Sequence, residues 1–439
     1  MMLAAQQFPR LLAGLVPGAT MSFANHELIH GPMDLSRHGR ATKDHPLLLE
    51  IERAGLRGYG GAGFPSATKI AAVAAQKDRP VVVVNAMEGE SLSGKDMLLI
   101  RHLPHLVLDG AIAIATALGS DRILLAFDRD AVGARRAIER AIAERPERGT
   151  PGFPEIVAAP LGAAYLTGQE TALVAALNGK AAKPTLAPPY PFERGVRGRP
   201  TLVSNTETFA QIALIVRHGA SWFRGLGSER APGTRLVTVG GAVARPRVVE
   251  VAGGTSLRRL LDASGGVTEA LQGLLLGGYA GTWLPPEAID VPLDPQDLRA
   301  YGASMGPGIV FALGESACPV AEVAAATAWL HRESAGQCGV CINGLGAISA
   351  ALQELCDDGY HSASYGEIER WCALVSGRGA CALPDGAASF VSSAIVTFRA
   401  QFEAHARHGH CDTCLNPRVL PLADAQSLAP RAARHLVAA

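Results

Sequence analysis

Hydrophobic and polar positions divide the chain into three regimes. From about residue 45 to 220, apolar runs such as Val81-Val-Val-Val84 and Ile123-Leu-Leu-Ala-Phe127 alternate with stretches of helical spacing such as Ala134 to Glu144. Buried strands alternating with amphipathic helices predict an α/β domain. Pro184 to Thr201 is rich in proline and glycine without a clear period. It is expected to run as an ordered surface loop near whatever the domain binds. After a break at Gly225 to Gly233, short β-rich segments appear at Leu236 to Val239 and Val248 to Val251. A helical segment at Ser256 to Ala263 and an apolar run at Leu274 to Leu276 follow, which predicts a small ββαβ unit. Beyond Ala321 the pattern is helical: Ala321 to Glu333, Ile348 to Cys356, Tyr365 to Val375 and Ala388 to His405 predict a bundle.

Composition narrows the class. The 439 residues are 48% hydrophobic and 5% aromatic with zero formal net charge. Such a chain has room for several cores and no overall field that would draw it to nucleic acid or acidic lipid. Polar residues and Pro9 interrupt the first apolar run before it reaches signal-peptide length, so a cytoplasmic protein is expected. The longest apolar stretch, Leu106 to Leu118, falls short of a membrane span, and any membrane role is expected to run through a partner. Seven of the eight cysteines follow residue 330, several in short-spaced groups, which favours metal or cluster ligation over disulfides.

The strongest local motif is Gly55-Leu-Arg-Gly58-Tyr-Gly60-Gly61-Ala-Gly63-Phe64-Pro65, leading into a helical run from Ala67. Glycines let backbone N–H groups close on a phosphate at a helix N-terminus. The segment before it, Leu47 to Ala54, reads as helix rather than strand, which disfavours an ordinary Rossmann dinucleotide site and leaves a plain interhelical turn as the alternative. Three polar clusters adjoin apolar runs: Asn85-Ala-Met-Glu88-Gly-Glu90 with Lys95-Asp96, Tyr165-Leu-Thr-Gly168-Gln169-Glu170, and Ser204-Asn205-Thr206-Glu207. Taken singly, Thr167 and Ser204, each three residues ahead of an acidic side chain, also fit capping boxes.

Together and in this order, over about residues 47 to 408, these segments resemble the NADH-oxidising flavoprotein subunit of respiratory complex I and the related diaphorase subunits. The resemblance implies an FMN site made by Gly58, Gly60, Gly61, Gly63, Lys69, Asn85, Glu88, Gly168, Glu170, Ser204, Asn205 and Thr206. Lys69 and the loop amides would take the phosphate, and Asn85 and Glu88 the ring and ribityl groups. The ββαβ unit resembles the soluble-ligand-binding β-grasp module of that family. For NAD(P)H the resemblance points to Phe64, Glu90, Tyr165 and Tyr190. The pattern departs at Met87, Gln169, Ala187 and Ala72, where the family has acidic, basic or aromatic residues, and such changes also fit tolerated surface variation.

In the family, a Cys-x-x-Cys-x-x-Cys motif and a distant cysteine hold a [4Fe–4S] cluster. Here the first position is Ala335, which leaves Cys338, Cys341 and Cys381. A fourth ligand from Cys411 or Cys414, an iron open on one side, or loss of the cluster with free or zinc-bound thiols are the alternatives; retention is favoured and Cys411 is taken as the fourth ligand. An unbroken helix from Ala388 to His405, roughly 27 Å long, would carry Cys411 away from Cys381 unless the tail folds back. Cys318, Cys356 and Cys372 are assigned to packing, and His102, His105, His331 and His405 to core or surface roles.

The expected organisation is an N-terminal extension (1–45), an FMN-binding α/β domain (46–230), a β-grasp module (231–302), a helical iron–sulfur domain (303–410) and a tail (411–439). The implied function is to convert two-electron into one-electron transfer, from NAD(P)H through FMN and a cluster to a ferredoxin-like protein or a membrane reductase. A flavoprotein reduced by ferredoxin, or a docking subunit without turnover, are the rival readings.

Overall fold

A computed structural model of the chain describes residues 8–33, 45–146, 149–357 and 362–422. Residues 423–439 of the expected tail, and the remainder of the N-terminal extension, lie outside the described residues.

The first domain is built on four parallel strands, β1 (Val81–Ala86), β2 (Arg122–Asp128), β3 (Glu155–Leu161) and β4 (Thr201–Asn205), in the order β3-β2-β1-β4. The valine run of β1 is buried on both faces, as a central strand covered by helices on either side requires. The helices are α1 (Phe23–His30), α2 (Pro46–Ala54), α3 (Ser66–Ala74), α4 (Lys95–His102), α5 (Pro104–Leu118), α6 (Val132–Ala143), α7 (Glu170–Leu177) and α8 (Thr206–Arg224). In α2 the apolar positions Leu47, Leu48, Ile51 and Ala54 form one buried face, Pro46 opens the helix, and Gly55 ends it in the left-handed conformation. The glycine loop therefore follows a helix, as its sequence indicates.

Helices α4 and α5 together have the length and composition of a membrane span, yet they bend by 95°. All but one residue of α5 is buried in the domain core. Among the described residues no single helix is long and apolar enough to cross a membrane.

The second domain is a mixed sheet ordered β6-β5-β9-β7-β8, with β5 (Thr234–Gly241), β6 (Arg247–Ala252), β7 (Leu271–Leu276), β8 (Thr282–Leu284) and β9 (Ile309–Gly314). Leu257, Leu260 and Leu261 of α9 (Leu257–Ala263) fill one face; a short α10 (Pro295–Arg299) follows β8. Strand β9 pairs with both β5 and β7, so the sheet continues past residue 302, where its end was expected. A strand hydrogen-bonded on both sides cannot be assigned to the helical domain.

The third domain contains α11 (Pro319–Arg332), α12 (Gly346–Cys356), α13 (Ser362–Val375), α14 (Leu383–Thr397) and α15 (Arg399–His408). The helix expected to run unbroken to His405 is interrupted at Phe398, whose backbone leaves the helical region (φ −111°, ψ 31°). Phe398 is wholly buried, and its ring packs edge-on against Trp283 of β8 at 5.1 Å. The break turns α15 back toward α11, and the tail follows it. There the buried Glu322 carboxylate accepts the amides of Val419 and Leu420.

Candidate functional site

Strands β1 and β4 are neighbours although three crossovers separate them in sequence, so the direction of winding reverses between them. Open parallel sheets bind ligands outside the carboxyl ends of their strands at such a switch point. Asn85 and Asn205 stand in register at those ends.

The glycine loop lies over this point. Gly58 N–H donates to the Phe64 carbonyl at 2.8 Å, Arg57 Nε to the Gly63 carbonyl at 2.6 Å, and Tyr59 N–H to Thr208 Oγ1 at 3.0 Å. A Cβ at Gly60 would sit 3.4 Å from that of Asn205. Gly61 and Gly63 have φ of 127° and 60°, conformations that disfavour side chains, and a Cβ at Gly61 would meet nothing within 4 Å. Among the described residues the amides of Gly60, Gly61, Ala62 and Gly63 donate to no protein acceptor. Helix α3 starts just beyond, with Pro65 at its cap and no side-chain capping bond. Free amides ahead of an uncapped helix N-terminus are suited to an anionic group, and the open space beside Gly61 gives it room.

Lys69 on α3 pairs with Glu170 at the start of α7, 3.1 Å apart and partly exposed, and Asn85 Nδ2 donates to the Gly168 carbonyl at 2.8 Å. Ser204 is half-buried in β4. Beneath them lies a buried ionic layer. The Glu88 carboxylate accepts the amides of Asp96 (3.1 Å) and Met97 (2.8 Å) and the Ser93 hydroxyl, so it caps α4. Burial first, and Asp96 second, push the Glu88 carboxyl above its ordinary pKa. Asp96 in turn accepts from Asn205 Nδ2 at 3.1 Å, from the Thr206 hydroxyl and from the Glu207 amide. Lys95, wholly buried, reaches Asp96 at 3.1 Å and Glu207 at 2.9 Å. Burial opposes its charge, but Asp96, Glu207 and Glu88 hold its pKa above the usual lysine value.

Two expectations change here. Thr206 is wholly buried with its hydroxyl on Asp96, so its side chain supports α8 instead of facing a ligand. Glu88 is committed to the α4 terminus, because two helix amides in a buried place need an acceptor. The capping residues of α7 and α8 are Gln169 and Asn205, not Thr167 and Ser204. Lys95, Asp96 and Glu207 stood inside the quoted clusters without a role; the signal that marks them is adjacent charge next to otherwise apolar runs.

Phe64 and Tyr190 present rings that are 52% and 49% exposed, Tyr190 stacked on Phe192 at 5.5 Å. Glu90 and Tyr165 instead form a seam between domains. Glu90 accepts the Tyr279 amide at 3.1 Å and faces the Tyr165 hydroxyl at 3.5 Å. The Tyr165 amide donates to Glu333 at 3.0 Å, and its ring meets Trp329 of α11 edge-on. Of the departing positions, Met87 is buried, Gln169 caps α7, Ala72 is half-buried on α3 and Ala187 is exposed.

Cys338, Cys341 and Cys381 come together around a π-helical turn, Val340–Leu345. The Ala380 amide, helped by the Cys341 and Val340 amides, holds the Cys338 thiol below its ordinary pKa against burial, which pushes it up. Burial, followed by Cys338 and Cys381, pushes Cys341 up to about 12. Gln337 Nε2 donates to the Pro184 carbonyl at 3.0 Å, which sets this loop beside the 184–201 segment. The half-exposed thiols of Cys338 and Cys381 beside a buried third suit a metal–sulfur cluster held by three thiolates; Ala335 offers no donor atom. Cys411 is not the fourth member. It lies 3.6 Å from Cys414, which lies 3.3 Å from Cys318, in a separate group that includes His405. Cys318, assigned to packing from sequence, and His405, assigned to a core or surface role, belong to that group.

A switch-point anion cradle on a parallel sheet, a β-grasp module and a thiol-bearing helical domain define a flavin and iron–sulfur electron-transfer protein. Comparison with known proteins agrees. The Nuo51 FMN-binding domain family matches residues 51–214, the SLBB domain 236–274 and the NADH-ubiquinone oxidoreductase-F iron–sulfur binding region 321–405. An NADH-quinone oxidoreductase subunit of Rhizobium meliloti is 33% identical over 85% of this chain and 91% of its own length. The corresponding NADH-quinone oxidoreductase subunit of Mycobacterium tuberculosis H37Rv is 35% identical over 89% and 91%. A NAD+-reducing [NiFe]-hydrogenase in its H2-reduced state matches in structure with a TM-score of 0.76 at 30% identity, covering 82% of this chain. The chain spans only 62% of that hydrogenase chain. The chain belongs to the family of NADH-quinone oxidoreductase subunits that carry the Nuo51 FMN-binding domain, and is an electron-transfer oxidoreductase with FMN-binding, SLBB and iron–sulfur-binding regions.

Proposed function

We propose that the protein passes electrons between NAD(P)H and a one-electron acceptor through FMN and a [4Fe–4S] cluster. The observation that carries the reading is the row of unpartnered amides from Gly60 to Gly63 above Asn85 and Asn205. Those amides and Lys69 would bind the phosphate, while Gly58 would hold the loop closed through its bond to the Phe64 carbonyl. Asn85, Gly168, Glu170, Ser204 and Asn205 would line the remainder, and Glu88 would act indirectly by holding α4 and the 88–94 loop in place. FMN, when bound, supplies the exchange between hydride and single electrons. The exposed rings of Phe64 and Tyr190 would flank a nicotinamide nucleotide, while Glu90 and Tyr165 fix the wall behind it and limit water access. Cys338, Cys341 and Cys381 would supply three thiolates, close to the 184–201 loop through Gln337. The acceptor would be a ferredoxin-like protein or a membrane reductase.

The direct test is anaerobic reconstitution with FMN, iron and sulfide, followed by titration with NADH and NADPH. Flavin bands that bleach on titration are expected. A colourless protein that cannot be reconstituted would leave only a docking role.

A second reading is favoured by Met87, Gln169, Ala187 and Ala72, four neutral side chains where the family has charged or aromatic ones: reduced ferredoxin feeds the flavin and no nicotinamide nucleotide reacts. Bleaching by reduced ferredoxin together with inertness toward NADH and NADPH would establish it.

A further inference from the structure

We propose that Cys318, His405, Cys411 and Cys414 form a closed, four-coordinate Zn2+ site, separate from the cluster thiols, that fastens the C-terminal tail to the body of the protein. One donor atom from each of the four lies within 4.8 Å of the others. The Cys411–Cys414 and Cys318–Cys414 sulfur separations are 3.6 and 3.3 Å, and His405 Nε2 lies 3.5 Å from Cys318 Sγ and 3.7 Å from Cys414 Sγ. Zinc–sulfur bonds of about 2.3 Å arranged tetrahedrally place sulfur atoms roughly 3.8 Å apart, so these edges fit a single ion after small adjustments. A [4Fe–4S] cube seats its ligands on four separate irons and spreads them more widely. Three thiolates and one imidazole around one centre is a structural zinc donor set.

The surroundings orient each donor. His405 Nδ1 lies 3.0 Å from the Leu355 carbonyl, which accepts its proton and turns the Nε2 lone pair toward the sulfurs. Cys318 caps α11, and the Ala321 amide points at its sulfur at 3.4 Å. The Thr413 hydroxyl lies 3.1 Å from Cys411 Sγ, and the Cys414 amide closes the Cys-x-x-Cys turn onto the Cys411 carbonyl at 3.0 Å. Cys318 and His405 are buried and Cys411 and Cys414 partly exposed, and four protein donors leave the ion no open position for substrate. Its role is structural.

The chain after Cys414 gives that role a target. Arg418 pairs with Glu322, whose carboxylate also takes the Val419 and Leu420 amides. Pro421 then offers its carbonyl to the Tyr279 hydroxyl at 3.1 Å and to the Ser91 hydroxyl. Tyr279 belongs to the β-grasp module and Ser91 to the 88–94 loop of the flavin domain. A metal clamp at 411–414 thus holds a strap across all three domains.

Metal analysis of purified full-length protein tests this. One zinc per chain is expected, additional to any iron. Cys411→Ser with Cys414→Ser, and separately His405→Gln, should lose the zinc and keep FMN and iron. Cys356→Ser should keep all three. Replacement of zinc by Co2+ in the unaltered chain should give the intense visible bands of a tetrahedral thiolate site, a readout independent of how well the variants fold. Chelation should expose the chain beyond Gly409 to limited proteolysis. The proposal falls if the unaltered protein holds no zinc and takes up no cobalt in this form, if iron follows these four residues, or if mass spectrometry finds Cys318 and Cys414 joined as a disulfide. Loss of flavin with zinc retained would sink the redox reading and leave this one standing.

Discussion

The ammonium of Lys95 and the carboxylate of Glu207 meet at 2.9 Å, and neither side chain reaches solvent. Glu207 also accepts the Leu236 amide at 2.7 Å, so one carboxylate joins α8, α4 and the first strand of the β-grasp sheet. Glu207→Ala is expected to destabilise the protein by about 3–5 kcal/mol, because it leaves a buried cation short of a partner. The paired change Lys95→Met with Glu207→Leu should recover much of that loss. Thermal and urea unfolding of the unaltered chain, Lys95→Met, Glu207→Leu and the double variant close the cycle; additive losses would show that the pair is not coupled.

Gly61→Ala is expected to weaken FMN binding at least tenfold, since both the left-handed backbone and the approach of the amides suffer. Gly302, also at positive φ with nothing within 4 Å of its Cβ position, is the control. Gly302→Ala should incur a similar backbone cost of about 1–2 kcal/mol and leave flavin affinity unchanged. Fluorescence titration with FMN separates the two.

On the proposed reading, Ala335 stands where the cluster motif has its first cysteine. Ala335→Cys is expected to give a cluster that survives air several times longer than that of the unaltered chain, followed by the decay of visible absorbance and by iron release. Cys381→Ala should do the reverse. If Cys411→Ala shortened the lifetime as much, the assignment of Cys411 to a separate site would be overturned.

Stability should fall on mild acidification. Burial, reinforced by His26 and Arg217, holds the His30 pKa down to about 3, and burial with Arg145 and His26 holds His105 to about 4. In the unfolded chain both titrate near 6.5. Between those values the unfolded state binds more protons, so stability is complete above about pH 6.5 and declines as pH drops toward 4. Urea midpoints measured across that window should show the slope, and the double variant His30→Gln with His105→Gln should lose most of it.

Much of the fold and part of the site can be read along the chain. The glycine loop is contiguous because neighbouring amides must converge on one group, and its positive-φ positions require glycine, so Gly58 to Gly63 appear as a motif. The valine run of β1 and the helical periods of the last domain are equally local, as are Cys338 and Cys341. Tertiary structure decided what depends on chain return. Cys318 and Cys414 are 96 positions apart and meet because the chain breaks at Phe398, where burial of one ring against Trp283 outweighs the continuing helical pattern. Glu88, read as a ligand contact, serves a helix end instead because that end is buried eight residues downstream. Periodicity records which face of an element is apolar; it carries no distance between elements, and the grouping of the four metal donors is a matter of distance alone.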